Sequence, residues 1–246
     1  LFPYTTLFRS ASVGSNIISH NIEDIGLAKY LAGLIFPTGL ILVVIAGAEL
    51  FTGNNLISVA LLAGKVKWSK YLGNLSLVWL GNLVGSVFIA LLIYLSGQLD
   101  YSEGLLGAYT IKVASVKTSL SFTQAFTSGI LCNLLVCLAV WMSYAAKDIS
   151  GKVLAIFFPI WLFIASGYEH SVANMYYLSA GLMAKSSSSF ALKTAVELGV
   201  SSDSLNNLSI INAFTDNLIP VTLGNLVGGA LFIGAWYWWA YKRVTK

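Results

Sequence analysis

Two octets in this chain carry the same polar residues at the same spacing. "GAELFTGN" (47–54) and "GYEHSVAN" (167–174) both read Gly-x-Glu-x-x-x-x-Asn, with Gly47, Glu49 and Asn54 in one and Gly167, Glu169 and Asn174 in the other. His170, one of 2 histidines, stands only in the second, between Glu169 and Ser171. Protonated, an imidazole there stabilises an anion; neutral, it donates a hydrogen bond or relays a proton. The plain alternative is a buried histidine pinned by its neighbours, and its place in a repeated octet favours the chemical role. His20 falls in a polar stretch and is read as a loop residue.

The carboxylates Glu49 and Glu169 fit proton carriers, metal ligands or acceptors for backbone amides. Recurring at the same place in both octets, they read as structural. With no His/Asp/Cys cluster at ligand spacing, no metal or other cofactor is expected. Thr52 and Asn54 either turn a hydroxyl and an amide into a pore or cap helix ends. Asn82 and Asn225 serve as helix-packing glue unless one lines the same route. Lys29 and Lys152 each stand at the start of an antiparallel segment and so near opposite membrane faces, where a cation draws an anion into a vestibule or snorkels to the interface. Phe36, Leu40, Leu50, Phe51 and Phe163 are apolar neighbours of the octets. As a narrow ring they would exclude a hydrated ion and pass a small acid in its neutral form.

The elements that must position these residues are membrane spans. Of 246 residues 57% are apolar and 10% charged, about half the charge of a soluble domain. The net charge of +4 resides in small groups between apolar runs, which reads as topology and not as a nucleic-acid face. Cys132 and Cys137, five apart in an apolar run, face different sides of a helix and are read as buried thiols. Apolar segments run over 27–64, 71–97, 120–146, 153–184 and 208–241, each longer than the roughly 20 residues that cross a bilayer. "GKVKWSK" (64–70), "KDISGK" (147–152) and the tail "YKRVTK" are basic, and the positive-inside rule assigns them, with the C-terminus, to the cytoplasm. Lys112, Lys117, Lys185 and Lys193 then fall in outer loops, whose length weakens their vote. Trp79, Trp141 and Trp161 are either interface anchors or core packing.

The first and fourth segments are too long for one helix. Residues 27–64 as a helix would span about 57 Å against a hydrocarbon core of about 30 Å. Each holds one octet at mid-length, so each is expected to break there, beside protein or a watery cavity that can satisfy the freed backbone. The ends of the half-helices carry partial charge, positive at the amide end.

The octets belong to a longer repeat. "KYLAGLIFP" (29–37) is echoed by "KVLAIFFP" (152–159), and "LGNLVG" occurs at both 80–85 and 223–228, in the same order around the octets. The intervening spans make the copies antiparallel, the inverted-repeat plan of transport proteins with a polar site near the midplane. The second copy has an unbroken span, 120–146, before its broken one; the first has only "SASVGSNIISHNIED" (10–24). The opening residues "LFPYTTLFRS" (1–10) resemble nothing after them and, read back into codons, spell a common DNA sequencing adapter. Residues 1–10 are therefore read as a scar, 11–246 as the transmembrane domain, and the first helix as largely missing. The alternative is an ordinary N-terminal strand or signal remnant.

From about residue 14 onward the chain resembles the formate/nitrite transporter family. The resemblance is carried by "GAELFTGN", "CNLLVCLAVWMS", "FFPIWLFIASGYEHSVANM" and "FTDNLIPVTLGNLVGG". It implies an all-α, aquaporin-like protomer of three plus three transmembrane helices, two of them broken, assembled as a homopentamer in the cell membrane. Each protomer would have its own pore for a small monovalent anion or its conjugate acid, without enzymatic activity. It further implies that His170 is the pore histidine, that Thr52 lies in the first break, and that Asn225 shares the polar region, with Asn174 beside it. Phe36, Leu50, Phe51 and Phe163 match constriction positions and Lys152 a vestibule lysine; Leu40 and Lys29 are assigned to a constriction and the other vestibule from their places in the sequence. Formate is the expected substrate, carried by a proton-linked or a channel-like route, with nitrite or hydrosulfide as alternatives. Readings from other classes are an intramembrane enzyme using Glu169 and His170 as acid and base, which lacks a nucleophile motif or cofactor loop, and a water- or glycerol-type channel.

Overall fold

The computed structural model describes residues 7–244, which are helical with no strand among them. In chain order the helices are α1 (Leu7–Ser19), α2 (Ile25–Ala46), α3 (Phe51–Leu62), α4 (Trp68–Leu95), α5 (Leu105–Thr118) and α6 (Phe122–Ala145). They continue with α7 (Ile149–Ala165), α8 (Ser171–Lys185), α9 (Ser188–Val196), α10 (Ser202–Asn207) and α11 (Ile210–Tyr241). Among these, α2, α4, α6 and α11 are long and apolar enough to cross a membrane alone. Large apolar side chains such as Leu77, Leu80, Leu95 and Phe158 remain exposed on the outside of the bundle, as expected where the solvent is lipid or another protein.

Both long segments break where the octets fall. At the end of α2, Gly47 takes the left-handed conformation (φ 77°), and the Ala48 N–H turns back to Val43 O at 2.8 Å. The end of α7 repeats this: Gly167 has φ 71°, and the Tyr168 N–H reaches Phe163 O at 3.1 Å. Glycine suits such a turn because it has no Cβ to clash at positive φ. After each turn the chain extends and restarts a helix, at Phe51 and at Ser171.

Around the breaks, α6 packs along α11 and α7, while α8 packs against α4 and α5 and α7 against α2. The tryptophans left open by sequence join helices. Trp161 Nε1 donates to Tyr30 O (3.1 Å), Trp79 Nε1 to Thr222 Oγ1 (3.1 Å), and the Trp141 ring lies 4.6 Å from that of Tyr237. Cys132 and Cys137 are free and buried.

The connections expected as outer loops are partly helical. Residues 105–118 form α5, packed on α8, and 188–207 contain α9 and α10. The four lysines assigned to loops thus include residues on ordered helices. Lys117 is at the end of α5, and Lys185 Nζ donates to Leu205 O and Leu208 O. Composition concealed this because α5 has no amphipathic stripe; it is covered on several sides, and its small residues Gly107, Ala108 and Ala114 are buried. At the other end, α1 runs through Leu7–Ser10, and Phe8 and Arg9 are buried.

Candidate functional site: two helix breaks joined at mid-bundle

The two breaks are held by matching hydrogen bonds. The first amide of each restarted helix has no intrahelical acceptor, and an asparagine from the "LGNLVG" motif supplies one. The Phe51 N–H donates to Asn82 Oδ1 (3.0 Å), and the Ser171 N–H to Asn225 Oδ1 (2.9 Å). The other end of each amide returns to the octet's glutamate backbone: Asn82 Nδ2 to Glu49 O (3.2 Å), Asn225 Nδ2 to Glu169 O (3.1 Å). Asn54 Nδ2 donates to Glu49 Oε2 and to Asn74 Oδ1 (2.9 Å). Asn174 Nδ2 donates in the same way to Glu169 Oε2 (2.5 Å) and Asn217 Oδ1 (2.7 Å).

This changes the reading of the glutamates in one respect. Their carboxylates accept from asparagine side chains; the freed helix-start amides of Phe51 and Ser171 go to Asn82 and Asn225 instead. The reason is reach: Asn82 and Asn225 approach from the neighbouring spans, while each glutamate side chain turns to the octet's own asparagine. Asn174 accordingly braces Glu169, and Asn225 also donates to Gly129 O (2.8 Å).

The halves differ in charge. Glu49 is exposed, whereas Glu169 is buried and pairs with Lys117 Nζ at 2.8 Å. Asn217 Nδ2 adds a bond to Glu169 Oε2 (3.2 Å) and one to Lys117 O (3.0 Å). Lys117, Asn74 and Asn217 were not singled out by sequence. Asn74 and Asn217 had a usable signal, since each stands eight residues before the asparagine of its "LGNLVG" copy. Lys117 had none, because it comes from a segment outside the repeat.

His170 occupies the N-cap of α8, where Leu50 caps α3 in the other half. Its Nδ1 accepts the Ala173 N–H at 3.1 Å. A backbone amide only donates, so the neutral ring carries its proton on Nε2. Nε2 lies 3.0 Å from Thr52 Oγ1, which accepts that proton and leaves the threonine hydroxyl hydrogen free to donate elsewhere. Both residues are buried, at 1% and 0% exposure.

Apolar rings enclose this pair. Phe163 stacks on the imidazole (5.8 Å) and meets Phe36 edge-on (5.5 Å). Phe8, from the stretch read as a scar, stacks at 5.0 Å. Leu40, Leu50 and Phe51 are buried as well, and Leu40 and Leu50 line a cavity of about 410 Å³ that opens at the first break beside Glu49, Asn54 and Tyr144. Of the two candidate vestibule lysines, Lys29 reaches the second break, its Nζ being 2.6 Å from where a Cβ on Gly167 would stand. Lys152 stays in the first turn of α7, at the opposite end of that helix from Gly167. His20 is a loop residue, bonded to Ile17 O and Ser102 Oγ. No group of three or more metal-ligating side chains occurs among the described residues.

A bundle of this form, with two helices broken at related positions and one buried histidine–threonine pair between them, defines the class of inverted-repeat membrane transport proteins. The formate/nitrite transporter family matches residues 5–239, and the chain belongs to it. It is 42% identical over 218 residues to "Formate channel FocA" of Escherichia coli (strain K12), covering 89% of this chain and 76% of that protein. To "Formate channel FocA" of Haemophilus influenzae it is 40% identical over 233 residues, covering 95% and 78%. A solved structure described as a pentameric formate channel with formate bound superposes with a TM-score of 0.86 at 38% identity, over 98% of this chain and 94% of that one. An "FNT family ion channel" gives 0.79 at 34% identity, over 97% and 89%. The family is one of transporters, so the enzyme reading of Glu169 and His170 falls.

Proposed function

We propose that each protomer conducts formate, as anion or as formic acid, through a pore that passes Thr52 and His170. The observation that carries this is the Thr52–His170 contact: a hydroxyl with a free hydrogen beside an imidazole, shielded by aromatic rings, where the two broken helices meet. A small carboxylate can take a hydrogen bond there, while the rings of Phe36 and Phe163 disfavour a hydrated ion. Relatives named as formate channels support the choice of formate over nitrite and hydrosulfide. Leu40, Leu50 and Phe51 constrict the route from the first break; Lys29 and Lys152 attract anions at the two ends. The chain functions as a homopentamer, as the solved relative does, with 64–70, 147–152 and the C-terminus in the cytoplasm.

The test is flux in proteoliposomes under formate, nitrite or hydrosulfide gradients at several pH values, with His170→Asn alongside. Formate flux whose pH response changes in the variant supports the proposal. Folded pentamers that pass none of the three anions overturn it, and swelling independent of anions would favour a neutral solute.

A further inference from the structure

Thr52 depends on a helix that is short and irregular. The Leu56 N–H, which a continuing helix would send to Thr52 O, goes to Gly53 O instead (3.1 Å). In a buried site a carbonyl freed in this way needs another donor. Asn133 and Cys137, one turn apart on α6, supply two: Asn133 Nδ2 lies 3.3 Å from Thr52 O, and Cys137 Sγ also 3.3 Å.

The same Asn133 amide nitrogen donates to Asn225 O at 2.6 Å. Asn225 lies two residues before α11 loosens into a π-helix over Val227–Ala235, an irregularity found often at functional sites. Asn133 is therefore bonded to one residue from each half, and each of the two works at the centre: Thr52 on His170, Asn225 on the start of α8. Packing around it leaves no slack. A Cβ on Gly229 would collide with Asn133 Nδ2 and stand 2.8 Å from Cys137 Sγ. Asn133 and Cys137 are both 0% exposed.

We infer that Asn133, assisted by Cys137, is a positioning residue for permeation: it fixes the Thr52 hydroxyl against His170 and so sets selectivity and pH response. This rests on the formate reading above. Small misplacements of a polar group at a reacting or binding centre can cost about a hundredfold, so a clamp that removes them has a functional role.

The experiment compares Asn133→Leu, Asn133→Ser and Cys137→Ala with the parent protein in proteoliposomes, normalised per assembled channel, for formate and acetate across pH. The parent's formate flux tests the function itself, independently of the variants. If Asn133 positions Thr52, the variants assemble but lose about tenfold or more of formate flux, discriminate formate from acetate less, and shift in pH response, with Cys137→Ala the mildest. Assembled Asn133 variants with the parent's selectivity and pH profile would overturn it. If neither Asn133 variant assembles, Cys137→Ala decides: a changed selectivity supports the clamp, and parental behaviour sinks it.

Discussion

Thr52 Oγ1 and His170 Nε2 lie 3.0 Å apart although 118 positions separate them in the chain. One residue belongs to the half-helix that follows the first break, the other caps the half-helix that follows the second. Their contact makes one centre of two repeats that are otherwise built alike, because the repeat equivalent of His170 is Leu50, which has nothing to titrate.

Replacing His170 by Asn should preserve folding and flatten the pH response of flux. Asparagine is a good N-cap and can still accept the Ala173 N–H, but it has no ring proton to exchange. His170→Leu removes the cap too and should cost about 1 kcal/mol more. Flux against pH, with thermal unfolding in detergent, separates the two effects.

Breaking the Lys117–Glu169 pair from one side should be more damaging than removing both charges. Lys117→Met leaves a buried carboxylate with two asparagine amides and no cation, a loss of roughly 3–5 kcal/mol. The double variant Lys117→Met/Glu169→Gln should recover most of it. A double-mutant cycle on thermal stability reads the coupling; equal losses in the single and double variants would argue against it.

The matched asparagines should not be equal in cost. Asn82→Ala orphans the Phe51 N–H, for about 1–3 kcal/mol. Each variant also removes the donor to its glutamate backbone, Glu49 O or Glu169 O; Asn225→Ala orphans the Ser171 N–H and in addition takes a donor from Gly129 O, so its loss should be larger. Comparing the two variants' denaturation midpoints in one detergent tests the order.

Alanine at either break glycine meets a left-handed backbone, at about 1–2 kcal/mol. Gly47 has open space where the methyl would go, while at Gly167 it meets Lys29 Nζ. Lys29 is exposed and its flexible chain can swing its tip aside, so Gly167→Ala should destabilise only slightly more, by a margin that Lys29→Ala should remove. Unequal midpoints that Lys29→Ala leaves unchanged would sink the steric account.

How much of the molecule was legible in the sequence depends on the kind of signal. The spans and the repeat were readable because lipid tolerates few charges, and the breaks because both octets put Gly, Glu and Asn at mid-segment; length alone did not mark them, since α11 is as long as segment 153–184 and continuous. Gly47, Gly167 and the two octets marked the breaks correctly. His170 stood out for its rarity and its place in a repeated octet, Thr52 and the phenylalanines for lying in or near the octets, and the family resemblance gave them pore and constriction roles. Lys117 was not legible, since its partner Glu169 is 52 positions away and nothing in its own segment distinguishes it from a loop lysine.

The sequence by itself determined that this chain is a membrane protein of two inverted halves with polar residues at both breaks. Those properties follow from composition, length and repetition, which are local or periodic. Only the tertiary structure decided which asparagine serves which break, that Glu169 is neutralised while Glu49 is not, and that Asn133 bonds to both Thr52 and Asn225. These are hydrogen bonds between distant segments, with useful range of about 3 Å, and only the packed helices bring their donors and acceptors within it.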